Sequence, residues 1–77
     1  FKMFIEVSAV FKIQDPELKD VYMFAKPIVR FLINDKETSF KKQYEALKNS
    51  IRNNIPDGYI ILDATKEDLE EYENENN

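Results

Sequence analysis

The side chains that most often carry out chemistry in proteins are missing from this chain: it has no histidine and no cysteine. The usual general base, thiol nucleophile and imidazole metal ligand are therefore absent. Ser8, Ser39 and Ser50 have no neighbouring base and no nucleophile-elbow pattern around them. A carboxylate pair such as Glu6 with Asp20 could do acid–base work, but solvated surface carboxylates are the ordinary state of such residues. Gly58 is the only glycine, so a glycine-rich phosphate loop has no basis here. The tail carboxylates Glu67, Asp68, Glu70, Glu71, Glu73 and Glu75 lack the alternating spacing that wraps a calcium ion in oxygens. The expectation is a non-enzymatic protein with no cofactor and no metal.

What remains is recognition. Residues 1–56 carry 10 basic and 7 acidic residues, a net of +3, while residues 57–77 carry 1 and 8, a net of −7. A mildly basic body thus ends in a strongly acidic segment, an asymmetry that points to electrostatic contact with a partner or with the body itself. One candidate surface is formed by the even positions Lys2, Phe4, Lys12, Tyr22, Phe24, Lys26, Ile28 and Arg30, with Glu6 the acid among them. Rings beside cations are what single-stranded nucleic acid needs, since bases stack and phosphates are neutralised. The competing reading is that Phe4, Tyr22, Phe24 and Ile28 pack against the acidic helix or a second subunit, because so small a chain rarely leaves many aromatics in water. For Glu67, Asp68, Glu70 and Glu71 three roles stand: a solubilising end, a cover folded onto the basic face, or a surface for a basic partner that mimics nucleic-acid phosphates. Lys41, Lys42, Lys48 and Arg52, around Glu45, read as a solvated helix face or, more sharply, as a phosphate-contacting one.

The elements that hold these residues follow from periodicity. Odd positions from Phe1 to Ile13 are all apolar, which predicts a strand with one buried face. Residues 14–20 are turn-like around Asp15-Pro16. Val21 to Ile33 reads as a second strand in a long hairpin, at an edge or bulged at Pro27, which cannot donate to a ladder. In the rival reading Asp15 caps a helix with Pro16 at its first position, and only the chain from Pro27 onward is a strand. Phe40, Tyr44, Leu47 and Ile51 form the core stripe of a helix from Thr38 to Asn54, capped by Thr38 or Ser39. Pro56-Asp57-Gly58 turns the chain into a short buried strand, Tyr59–Leu62. Thr65 and Asp68 start a short acidic helix in capping-box fashion, docked by Leu69 and Tyr72.

The expected fold is α+β. A three-stranded, mainly antiparallel sheet has its first strand in the centre, the last strand reached by a right-handed helical crossover, one helix on the odd face, and a short acidic C-terminal helix. Residues 1–72 form a single domain, and residues 73–77 are expected to be a disordered acidic tail. A core this small buries roughly 60% of the unfolded surface, so pairing with a second copy or a partner would add needed stability. No apolar run is long enough to span a bilayer, and the first residues lack the pattern of an export signal, so a cytoplasmic location is expected. Plentiful Asn, Lys, Ile and Glu suit an AT-rich genome. The function expected is a protein-binding regulator or inhibitor, of the sort a phage or mobile element carries. The alternative is a small nucleic-acid-binding protein using the basic, aromatic sheet face.

Overall fold

The structure, a computed structural model, describes residues 3–33 and 39–76. Expectations that fall on Phe1, Lys2, Thr38 and Asn77 lie outside the described residues. The elements in order are β1 (Met3–Ser8), β2 (Phe11–Gln14), β3 (Tyr22–Ala25), β4 (Ile28–Ile33), α1 (Phe40–Arg52), β5 (Ile60–Asp63) and α2 (Lys66–Glu75). Among the described residues the chain is α+β, with antiparallel sheets and two helices.

Each long strand of the expected hairpin is broken once. Ser8 pairs with Ile28 at the end of one ladder, and Phe11 pairs with Ala25 at the start of the other. The register is the same in both, so the break inserts no residue on either arm. Pro27 explains the gap, because it has no N–H to give to a ladder. The single three-stranded sheet is accordingly replaced by a two-stranded sheet, β1–β4, and a three-stranded one in the order β3–β2–β5. The contacts divide the chain into two compact units, residues 1–9 with 27–55, and residues 10–26 with 56–77.

In the first unit β1 and β4 pair antiparallel, and α1 packs on β4. The odd positions Ile5, Val7, Val29, Phe31 and Ile33 are half-buried, whereas the even positions are exposed. Ser39 caps α1, its hydroxyl accepting the Lys42 N–H at 3.2 Å, and Arg52 in the last turn complements the helix dipole. Leu47 and Ile51 are buried as their spacing predicts. Phe40 departs from the stripe: it is 79% exposed. It opens the helix, where its ring lies along the Tyr44 ring at 6.1 Å and 23° instead of pointing inward.

In the second unit β2 is central and pairs antiparallel with both β3 and β5. The right-handed crossover rule concerns parallel strands, so it does not govern this connection. Phe11, Ile13 and Ile61 share the odd face and are buried. The rival helix from Asp15 is not formed. The Asp15 carboxylate does accept the N–H groups of Glu17 and Leu18, each at 2.8 Å. However, the Asp15 N–H donates to Val21 O at 3.0 Å, which closes the segment as a loop and leads into β3. Gly58 has φ 91°, a left-handed conformation that glycine adopts without strain, and it turns the chain toward β5. Thr65 and Asp68 form the full capping box. α2 continues to Glu75, so residues 73–75 lie in its last turn.

Candidate functional site

The acidic helix lies on the even face of the β3–β2–β5 sheet. Asp68, Glu71 and Tyr72 are three and four residues apart, so one side of α2 presents all three. The Asp68 carboxylate is 3.6 Å from the Lys12 ammonium, which also sits 4.3 Å from the centre of the Tyr22 ring. The Tyr22 hydroxyl donates to both oxygens of Glu71, at 2.7 and 2.9 Å. Phe24 meets Tyr22 edge-on at 5.6 Å and Tyr72 edge-on at 6.1 Å. These contacts run from cation to ring to carboxylate across neighbouring strands. β2 and β3 create the juxtaposition, because their register sets Lys12 opposite Phe24 and Gln14 opposite Tyr22. Beside it an open groove of about 360 Å³ is lined by Tyr22, Met23, Phe24, Tyr72, Glu75 and Asn76.

The contacts shift proton affinities in definite directions. The Thr65 N–H holds the Asp68 carboxyl below the ordinary aspartate range, with Lys12 adding to the effect. The Leu18 and Glu17 N–H groups lower Asp15 in the same way. The bond to Glu71 raises the Tyr22 phenol above its ordinary value. Linkage then fixes two edges of stability. The lowered carboxyls contribute above the ordinary aspartate value, about 3.9, and lose that contribution as pH falls through their lower folded values. The raised phenol contributes below about 10 and loses its contribution as pH rises through its higher folded value. Ultraviolet titration of Tyr22, with the other three tyrosines substituted by Phe, is expected to show a pKa above the ordinary range that falls back toward it in Glu71→Gln. No difference between the two proteins would mean that the Glu71 bond is not made in solution.

The other side of α2 is free of the sheet. Glu67, Glu70 and Glu73 are exposed and spaced three apart, forming a row of carboxylates on a helix held in place. The residues singled out in the sequence therefore fall into groups. Tyr22, Phe24, Asp68 and Glu71 come together in the second unit, with Lys12. Phe4, Ile28 and Arg30 are exposed on the even face of β1–β4. Lys26 is exposed outside both ladders. Lys48, on the α1 face read as a phosphate contact, stands over the Tyr44 ring at 4.5 Å.

Two features escaped the sequence reading. Glu6, considered there as half of a carboxylate pair, bonds Arg30 Nε at 2.8 Å across the strands. Leu32 joins Phe4 on the exposed face. Both follow once the register is known, since 6 pairs with 30 and 4 with 32, and periodicity alone does not supply a register.

Among the described residues, no group of three or more His, Cys, Asp or Glu is placed to hold a metal ion. Nor is any helix among them long and apolar enough to cross a membrane. No protein-family model, curated protein or solved structure matches this chain.

Proposed function

We propose that this chain is a non-enzymatic binding protein that acts by protein–protein contact, a regulator or inhibitor of a partner with a basic surface. One observation carries the reading: Asp68, Glu71 and Tyr72 hold α2 on the sheet, so Glu67, Glu70 and Glu73 present a carboxylate row of fixed orientation. A fixed row of like charge suits a complementary protein surface, where it steers association and fixes register. The same docking engages Lys12, Tyr22 and Phe24, part of the cation and ring set on which the nucleic-acid alternative rests, while Phe4, Lys26 and Arg30 of that set stay exposed. A phage or mobile element is the setting that a composition suited to an AT-rich genome fits, and the cytoplasm the compartment that a cysteine-free chain fits.

The test is affinity capture from a nuclease-treated cell lysate with the natural protein and with the triple variant Glu67→Lys/Glu70→Lys/Glu73→Lys. The proposal expects a protein partner that survives nuclease, weakens with added salt and is lost with the variant. Material lost on nuclease treatment, or a partner held equally by both proteins, would remove this reading.

A further inference from the structure

We infer that the even face of the β1–β4 sheet is the contact surface for a second copy of this chain, packed face to face about a two-fold axis parallel to the strands. The face consists of three cross-strand pairs: Phe4 with Leu32, Glu6 with Arg30, and Ser8 with Ile28. All six residues are exposed, Phe4 at 66% and Ile28 at 60%. Large apolar groups thus flank a central ion pair on the side of the sheet opposite the half-buried positions.

The pattern is self-complementary in one arrangement. Rotation about an axis along the strands keeps each level of the ladder in place and exchanges β1 with β4. Glu6 then faces the second copy's Arg30, Arg30 faces its Glu6, Phe4 faces its Leu32, and Ile28 faces its Ser8. Rotation about the in-plane axis across the strands fails, because it stacks Glu6 on Glu6 and Arg30 on Arg30. Like charges placed in register are repulsive. The allowed axis also leaves the strands of the two sheets aligned, as face-to-face sheets prefer, and it makes the interface isologous.

The chemistry has room for the second set of bonds. The bond within the chain uses Arg30 Nε and one Glu6 oxygen, and a guanidinium and a carboxylate each carry further donor or acceptor sites. The recess of about 360 Å³ lined by Phe4, Glu6 and Arg30 would receive the second copy's Leu32. Six facing side chains are far fewer than the roughly 20–30 a side of a standard interface, so the dimer is expected to be a weak one. This surface is separate from the carboxylate row on α2.

Sedimentation equilibrium of the full chain, from micromolar to about 1 mM, covers the affinity range of so small a contact. The natural protein should show a monomer–dimer equilibrium. Glu6→Arg and Arg30→Glu should each weaken it at least tenfold, by setting like charges against each other. The pair is exposed, so the cross-strand repulsion that each variant creates within its own chain is weak, and both should keep the natural circular dichroism with melting only slightly lowered. Mixed in equal amounts, the two variants should recover association, since both arginines of the Glu6→Arg chain then face the two carboxylates of the Arg30→Glu chain. A natural protein that stays monomeric at about 1 mM would overturn the inference. Single variants that associate as the natural protein does would overturn the surface and point to pairing at an open strand edge. A mixture that fails to associate, with both variants folded, would overturn the two-fold arrangement.

Discussion

Leu47→Ala should lower the stability of the chain by about 2–5 kcal/mol, while Phe40→Ala, at the other end of the same helical stripe, should change it by less than about 0.5 kcal/mol. Leu47 is 3% exposed and packs in the body of α1, so truncating it removes buried contacts and leaves a cavity. Phe40 has little buried area to lose, and its ring contact with Tyr44 lies on the helix surface. In a domain of this size the loss at position 47 is a large share of the total, and much of the Leu47→Ala chain should be unfolded at room temperature. Thermal and urea melts of the two variants beside the natural protein decide it. Equal losses would mean that Phe40 is covered in solution, and no loss at Leu47 would mean that the stripe is not core.

That contrast marks how far the sequence could be read. Period-two alternation located both arms of the hairpin, because the alternation of side chains along a strand is fixed by backbone geometry, and it found the inward face of β1, β2 and β4 but not of β3, where Met23 is 56% exposed and Phe24 half-buried. The break at Pro27 was readable as an edge or a bulge, but not as the division of one sheet into two. Deciding that requires knowing which residues stand opposite, and Ala9 and Val10 carry no mark of it. The 3.6-residue repeat found Leu47 and Ile51 but overreached at Phe40, because the first turn of a helix can project past the surface it packs on. Local chemistry was the most legible of all. The capping box at Thr65 and Asp68 and the turn at Gly58 depend on neighbours in sequence, and both are present as read.

The candidate site was legible in composition and only partly in position. The contrast between a basic body and an acidic end raised the reading of one covering the other, and the spacing of Asp68, Glu71 and Tyr72 was in plain view. Which cation and which rings they meet depended on strand register. Lys12 was visible as one of several even-position cations, and only the pairing of β2 with β3 singles it out beside Tyr22. The pair between Glu6 and Arg30 was invisible for the same reason, with 24 residues separating its members.

Removal of α2 separates the two functions that the charge contrast permits. A chain ending at Ala64 loses the exposed row of Glu67, Glu70 and Glu73 together with the α2 contacts on Lys12, Tyr22 and Phe24. Binding to a basic protein partner should fall at least tenfold, because the carboxylate row on α2 is gone. Affinity for a single-stranded oligonucleotide should not rise, because Lys12 is the one cation that loses an α2 partner, and Lys26 and Arg30 are exposed in the intact chain already. Phosphate binding scales with the number of cations that neutralise the backbone, and the deletion frees only one. Truncation also uncovers apolar surface, so the folded variant Asp68→Asn/Glu71→Gln serves as a second measurement: it keeps the helix and removes the two carboxylates that hold the cation and the ring. Both proteins should be titrated with oligonucleotide at two salt concentrations, with circular dichroism confirming the fold. Tight binding by either one, falling steeply with salt, would show that α2 is an internal competitor for nucleic acid and would replace the protein-binding reading. Absence of oligonucleotide binding by both, with the protein partner lost on truncation and weakened in Asp68→Asn/Glu71→Gln, would leave the carboxylate row on the outer side of α2 as the working surface.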